Sequence, residues 1–518
     1  MFDCLIRNGT IVDGTGAERF LGDVGIRDDR IAAVGELKSA QATREIDATG
    51  IIVAPGFIDV HNHSDGWMLK TTHLTAKTTQ GFTTEVLMAD GISYAPVNRE
   101  TWREWVFYLR ALDALRMDEY EGWESLADFN ARLDRRNVQN SICHVAYANV
   151  RSLACGFGKT QVDDFQMRQI RDEIRRGMDA GAVGVSTGLD YIVQCFSTTD
   201  ELSEACEVLK DYRGLYVTHM RYKKGIVEGL REAVAICRHA EIPLHVSHLK
   251  AMSEQQAAAV FEYLETARKE VELSFDVYPY LPGSTMMSYL LPYEAWVDGP
   301  LRVISRLARA GMQELFARGL ECHRLPLERI RIAWMAGEEN RVHLGKSLAR
   351  YIEEMNLPPA EALTNLLIEE RLAVLLVYDE GDDRLAEPFL CHDLAILGTD
   401  GIYFPDGLVH PRVSGSAGRL LGSYVREKKL LSLESAVRKL SGYPAEKFGL
   451  INRGVVREGA FADLVVFDPE TICDRATYDE PHLSTVGVEH VLVNGIPILS
   501  DGQPVTIEGD VLPGRALK

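Results

Sequence analysis

The sequence predicts an α/β fold: a (β/α)8 TIM barrel in the middle of the chain, with a small β domain assembled from both chain ends. Three observations predict it. Residues 57–399 hold eight short β-rich runs, several followed by amphipathic helical patterns, and eight strand–helix repeats mark this barrel. Residues 1–54 and 463–499 are instead rich in short alternating strands. The first barrel strand ends in two histidines one residue apart, His61 and His63, and active sites of such barrels sit at the C-terminal strand ends.

The composition sets the bounds. A chain of 518 residues with 46% apolar and 25% charged residues is an ordinary globular protein of two or more domains. A formal charge of −20 argues against nucleic acid and anionic membrane surfaces, which attract basic patches. The nine cysteines are odd in number, scattered and free of any CxxC pair. They form no disulfide framework, so a reducing cytoplasm is expected. The N-terminus MFDCLIRNGTIVDG lacks a basic region before a long apolar core, so no signal peptide is expected. No run approaches the about 18 apolar residues of a membrane span.

Taken in order, residues 2–6 alternate, Asn8-Gly9 reads as a hairpin turn and residues 10–12 return. Residues 23–26, 30–34 and 44–47 continue the pattern, and 463–467, 490–493 and 496–499 resemble it around Asn494-Gly495. The barrel strands are expected at 57–60, 83–89, 143–148, 182–186, Leu215–His219, 244–248, 272–278 and 394–399. Amphipathic helices are expected at 164–178, 201–212, 227–240 and 254–269. Residues 95–140 read as an elaborated loop. Residues 283–390 are too long for one crossover and read as a helical insertion over the barrel mouth.

The last residues of the expected strands share a chemistry. In a strand, side chains at i and i+2 share a face, so His61 and His63 point the same way. Strand 2 ends at Asp90, strand 5 at His219, strand 6 at His248 and strand 8 at Asp400. Any one of these could be a capped or solvated loop residue. Four histidines and two carboxylates at one barrel end are a metal site. A metal in such a site lowers the pKa of bound water to about 7 and polarises a carbonyl oxygen. Asp400 is placed to take the proton from that water and pass it to a leaving nitrogen. His245, three residues before His248, should face the other way and reads as structural; His410 reads as a turn residue that could touch substrate at the rim. His73, His144, His239, His323, His343, His392, His482 and His490 have no comparable setting.

At this point the chain resembles the amidohydrolase superfamily and, within it, the N-acyl-D-amino-acid deacylases (D-aminoacylases). Nine stretches carry the resemblance, in order: PGFIDVHNHSD, GFTTEVLMADGIS, GVSTGLDY, VTHMR, VSHLK, FDVYPYLPGST, LGTDG, HPR and GVVREGAFADLVVFDP. The resemblance implies a metal-dependent barrel with a small β-sandwich from both ends. It puts His219 and His248 where the family holds its tight zinc, His61 and His63 at a second, weaker position, and Asp400 at the catalytic aspartate. Lys250, Tyr278 and Ser284 match contacts to the substrate α-carboxylate, a task for which a lysine and two hydroxyls supply donors. Tyr191 matches a pocket tyrosine. Two departures stand out. The family's cysteine ligand after strand 2 is replaced by Asp90 in Ala89-Asp90-Gly91-Ile92-Ser93, which makes the site harder. That carboxylate could bridge two metals or leave one more weakly held. The family's Tyr-Pro-Pro-Gly is replaced by Tyr191-Ile192-Val193-Gln194-Cys195, so acyl or side-chain preference could differ.

The reading is therefore a cytoplasmic metal-dependent amidohydrolase that cleaves a linear amide of a small molecule carrying a carboxylate, N-acyl-D-amino acids first. The expected cofactor is zinc, one or two ions, with manganese, cobalt or nickel as alternatives. No nucleic-acid or membrane partner is expected, and a homo-oligomer is left open. The rivals are a cyclic amide or imide hydrolase or a deaminase on the same barrel, and a non-catalytic binding homologue. The expected domains are 1–54 and 450–518 for the β-sandwich, 55–410 for the barrel with its insertion within 283–390, and 411–449 for a helical connection.

Overall fold

A computed structural model describes residues 1–323, 326–379, 381–509 and 511–518, without the side chains of Cys322 and His323. His323, set aside from the sequence, has its side chain outside the described residues. The middle of the chain carries eight strands: β1 (Phe57–Asp59), β2 (Phe82–Leu87), β3 (Asn140–Cys143, resumed at Val145–Ala146), β4 (Gly184–Gly188), β5 (Leu215–His219), β6 (Leu244–Val246), β7 (Leu273–Val277) and β8 (Ala395–Leu397). Each pairs in parallel with the next. The ring closes beyond β8, where Gly401–Ile402 pairs in parallel with Asn62–His63 and the Asp400 N–H donates to the His61 carbonyl at 2.7 Å. The strands are buried along their whole length, as a parallel sheet covered by helices requires.

The helices between the strands follow from capping and stripe. Asp163 accepts from the Phe165 and Gln166 amides at the start of Asp164–Asp179, and Met167, Ile170, Ile174 and Met178 form its buried stripe. Burying such side chains contributes about 1.5–3 kcal/mol each. Ser253 and Thr198 cap Glu254–Ala267 and Thr199–Cys206 in the same way.

Four expectations change. The third strand lies three residues earlier than expected and Tyr147–Cys155 is a helix, because the apolar run Val145–Val150 suits a buried helix start as well as a strand. Residues 95–140 contain two helices, Trp102–Asp113 and Leu126–Leu133, rather than a loop. The insertion is not only helical: Ser284–Met286, Ile330–Met335 and Val374–Tyr378 form a three-stranded antiparallel sheet beside its helices. Asn8-Gly9 is not a turn. Phe2–Ile11 is one strand, with a register shift between Ile6 and Gly9 and Asn8 at φ +58°. Asn8 tolerates the left-handed conformation, its N–H is taken by Asp23 Oδ1 at 2.8 Å, and the result is a bulge. Asn494-Gly495 is the true hairpin turn: Val493 pairs with Ile496, and both turn residues have positive φ.

The chain ends meet in one nine-stranded sheet. Phe2–Ile11 pairs with Phe20–Arg27, Ala42–Asp47 and Ile52–Pro55, and Ile52–Pro55 pairs antiparallel with Leu464–Phe467. Its own apolar core contains Ile6, Ile11, Val24, Ile26, Leu464 and Leu492. Among the described residues no helix is long and apolar enough to cross a membrane.

Candidate active site

The strand ends of the barrel converge on one buried cluster. Donor atoms of His61, His63 and Asp400 lie within 4.8 Å of one another, and so do those of His61, Asp90 and His248. Asp90 stands between the histidines: its oxygens lie 3.6 Å from His61 Nε2, 3.7 Å from His63 Nε2 and 3.9 Å from His219 Nδ1. His219 Nδ1 lies 3.0 Å from His248 Nε2. All six residues read from the strand ends thus come together. Neither ligand group includes a cysteine.

The backbone turns sharply to deliver them. Asp90, His248 and Asp400 all have positive φ, +57°, +38° and +48°. Non-glycine residues adopt this region at a cost of order 1–3 kcal/mol, and such residues cluster at functional sites. Tight glycine contacts hold the turns. A Cβ on Gly188 would lie 2.5 Å from the Asp90 carbonyl, and a Cβ on Gly398 would lie 2.8 Å from His61 Cβ and 3.0 Å from Asp276 Oδ1. The segment Tyr191–Cys195, where the chain departs from the pattern it resembles, braces the same turn: Gln194 Nε2 donates to the Asp90 carbonyl at 2.8 Å.

Sequence reading missed the carboxylates behind the histidines. Asp276, at the end of β7, lies 3.3 Å from His61 Nδ1 and 3.0 Å from His245 Nε2, and accepts the His248 N–H at 2.8 Å. It fixes the ring orientation of His61 and the backbone of His248, as outer carboxylates do for metal-binding histidines. His245 is structural, as expected, and its structural task is to hold Asp276. Asp190 Oδ2 stands 3.4 Å from His219 Nε2, misaligned for a hydrogen bond, and Asp190 Oδ1 accepts from Tyr293 at 2.7 Å. The signals were present: Asp276 ends a barrel strand and Asp190 follows one. A single carboxylate at a strand end has no partner visible in the sequence.

The charges favour a cation. Burial pushes the His61 imidazole down, but Asp276, Asp400 and Asp90 around it push it up to about 10. Burial would raise the Asp400 carboxyl, yet the Arg412 guanidinium and the His61 and His63 rings hold it well below the usual carboxylate range. His248 is driven down to about 3 by burial and by His219. His61 Nε2, Asp90 Oδ1 and His219 Nε2 are buried without a hydrogen-bond partner. Leaving one such group unmade costs about 1–3 kcal/mol, and a divalent ion held beside His61 and Asp90 would give the first two a partner. The donor set of imidazoles and carboxylates suits such an ion.

The remaining sequence-predicted residues line the same cavity, which also contains Arg412. Lys250 Nζ donates to Tyr278 Oη at 2.5 Å and to the Leu281 carbonyl at 2.6 Å. Ser284 gives its proton to the Leu376 carbonyl at 2.7 Å, so of the three presumed carboxylate contacts it has the least left to offer. The Tyr191 ring packs 4.9 Å from the His219 ring. His410 does not line the cavity. It is buried, takes the Arg412 N–H on Nδ1 at 3.1 Å and meets Tyr478 Oη at 3.2 Å, so its task is to hold the turn that delivers Arg412. Arg412 Nη1 lies 2.8 Å from Asp400 Oδ2.

One consequence is measurable. Gly398→Ala places a methyl against His61 and Asp276. Metal affinity should fall roughly 10–100-fold, read by elemental analysis after dialysis, with the far-UV circular dichroism unchanged. Full metal retention would show that Gly398 does not set the ligand positions.

Comparison with known proteins agrees with this geometry. The amidohydrolase family model matches residues 44–307 and 392–498. The chain is 33% identical to the D-aminoacylase of Alcaligenes xylosoxydans xylosoxydans over 502 residues, 96% of this chain and 94% of that relative. It is 34% identical to the N-acyl-D-glutamate deacylase of the same organism over 98% of this chain and 96% of that one. The crystal structure of the N-acyl-D-glutamate deacylase of Bordetella bronchiseptica, complexed with zinc and a phosphonate mimic of the tetrahedral intermediate, superposes with a TM-score of 0.84 at 33% identity, covering 100% and 99% of the two chains. The family match, the full-length relatives and the ligand cluster at the barrel's strand ends lead to one conclusion: the chain belongs to the amidohydrolase family.

Proposed function

We propose that this chain hydrolyses the amide of N-acyl-D-amino acids, releasing a carboxylate and a free D-amino acid. The observation that carries the reading is the cavity itself. One wall holds the ligand cluster with Asp400, and the same cavity presents Lys250 and Tyr278. A substrate with an amide at one point and a carboxylate next to it matches both. Full-length similarity to proteins named as deacylases of this substrate class supports it.

His61, His63, Asp90, His219 and His248 would hold the metal, zinc first; Asp90 Oδ1 faces His61 Nε2, and Oδ2 faces His63 Nε2 and His219 Nδ1. The harder carboxylate donor also suits manganese, cobalt or nickel. When bound, such an ion supplies Lewis acidity and lowers the pKa of water. The chain does the rest. Arg412 engages Asp400 Oδ2, which leaves Oδ1, 3.3 Å from His63 Nε2, as the oxygen that takes the proton from the attacking water and returns it to the leaving nitrogen. The ammonium of Lys250, with the Tyr278 hydroxyl, holds the α-carboxylate and so orients the scissile bond. The eight described cysteines are free, which supports a reducing compartment.

The test uses metal-loaded protein and paired N-acetyl-D- and N-acetyl-L-amino acids, with free amine as the readout. D-selective release is expected. Equal release from both series, or release only from hydantoin or dihydropyrimidine rings, would overturn the substrate assignment. Lys250→Ala should cost about 100-fold in kcat/KM, mostly through KM, because it removes a binding contact rather than the proton carrier.

A further inference from the structure

The cavity has a volume of about 250 Å³ and is mostly apolar. Away from the ligand cluster its walls include Leu112, Tyr191, Tyr222, Ile226, Met252 and Tyr289, together with Thr285 and Tyr378. Three of the tyrosine hydroxyls have partners. Tyr222 donates to the Ser247 carbonyl at 2.7 Å, Tyr289 to Asp190 at 3.3 Å, and Tyr191 meets Thr285 at 3.5 Å. What is left to line this part of the cavity is mostly ring and aliphatic surface, with the Tyr378 and Thr285 hydroxyls as its polar groups.

The charges are equally one-sided. The lysine and arginine groups that line the cavity are Lys250 and Arg412. Arg412 is neutralised by Asp400 and also donates to the Ser284 carbonyl at 3.2 Å. Lys250 has only the neutral Tyr278 hydroxyl and Leu281 carbonyl as partners, so it is the one cation with charge to spare. The neighbouring Lys223 does not line the cavity; it donates to the Tyr289 carbonyl at 3.0 Å and lies 4.1 Å from the Tyr289 ring centroid. The acids that line the cavity, Asp90 and Asp400, repel a further anion.

We infer that the site is built for substrates with a single anionic group: N-acyl-D-amino acids whose side chain is aliphatic or aromatic. Lys250 answers the α-carboxylate, and the apolar wall receives the rest. A second carboxylate, as in N-acyl-D-glutamate or N-acyl-D-aspartate, would enter a mostly apolar wall that offers the Thr285 and Tyr378 hydroxyls but no second cation free of a carboxylate, and a buried charge without an ionic partner is strongly disfavoured. The inference rests on the deacylase reading for the placement of the α-carboxylate. It separates this chain from the acidic preference named for one of its full-length relatives.

The experiment compares N-acetyl-D-leucine, N-acetyl-D-phenylalanine, N-acetyl-D-glutamate and N-acetyl-D-aspartate on the zinc-loaded full chain. The apolar pair should exceed the acidic pair in kcat/KM by about 100-fold or more, the scale on which sites reject a group they leave unpaired. Acidic substrates within tenfold of the apolar ones would overturn the inference and leave the deacylase reading standing. If none of the four is hydrolysed, the deacylase reading fails, and calorimetric titration of the same compounds decides on the cavity. Tighter binding of N-acetyl-D-leucine than of N-acetyl-D-glutamate upholds the single-anion site, whereas equal binding, or none of either, overturns it.

Discussion

Asp400→Asn should lower kcat for the preferred N-acyl-D-amino acid by about 10³-fold or more, with KM changed little. The two side chains have the same shape, so the pocket persists. The amide oxygen cannot accept and return a proton at neutral pH, and general acid–base catalysis is worth about 10²–10⁴-fold. A 10³-fold loss corresponds to about 4 kcal/mol of barrier. The geometry explains why the effect should be concentrated in kcat. Arg412 occupies Oδ2, the left-handed backbone at φ +48° aims the side chain into the cluster, and in the proposed reading Lys250 rather than Asp400 holds the carboxylate. Metal content measured on the same preparation separates two roles. Activity lost with metal retained identifies the proton carrier. Activity and metal lost together would show that Asp400 acts chiefly as a ligand, and near-normal kcat would sink both.

The second large effect lies beneath the site and concerns stability. Lys77 is fully buried and donates to Asp59 at the end of β1 and to Thr399 Oγ1 at 2.5 Å, just beyond β8; Glu85 of β2 lies 3.8 Å away. Asp59 also accepts the Thr399 N–H and hydroxyl at 2.8 and 2.6 Å. One ammonium therefore joins the first, second and last barrel strands where the ring closes. Lys77→Met removes it and leaves two buried carboxyls without their cation. The expected loss is about 3–5 kcal/mol, the usual result of breaking a buried pair from one side, read as a fall in the urea midpoint. The loss should grow with pH. Burial pushes the Glu85 carboxyl up to about 8 even against the pull of Lys77. A carboxyl whose folded pKa lies above its unfolded value, about 4.3, stabilises the fold at low pH and loses that contribution as pH rises through the folded value. Without Lys77 the folded value rises further, so the deficit should be larger at pH 9 than at pH 6. A loss under about 1 kcal/mol, or one that shrinks with rising pH, would show that this network does not hold the ring closed.

Much of this protein was legible in its residue order, and the reason is local periodicity. Strand–helix alternation, caps such as Asp163 and Ser253, and the i, i+2 spacing of His61 and His63 are short-range signals that survive in a single sequence. They located the barrel, and the rule that sites form at its C-terminal strand ends brought out all six cluster residues. Local signals also misled where two structures share one pattern. Asn8-Gly9 suits a hairpin turn and a bulge equally well, and pairing with strands far along the chain chose the bulge. The sheet within 283–390 was missed because its three strands are separated by long helical stretches.

What tertiary structure alone decided is who stands behind each ligand. Asp276 and His61 are 215 residues apart, and Asp59 and Thr399 are 340 apart. No periodicity connects such positions; only closure of the barrel does. The same holds for the charge balance of the cavity. The sequence shows Lys250 and Arg412 as two cations, but the fold pairs Arg412 with Asp400 and leaves Lys250 facing neutral partners, because burying an arginine requires a partner carboxylate. The residue order determined the barrel and the chemistry at its rim. The packing of distant strand ends determined how that chemistry is aimed and which of its charges stand paired.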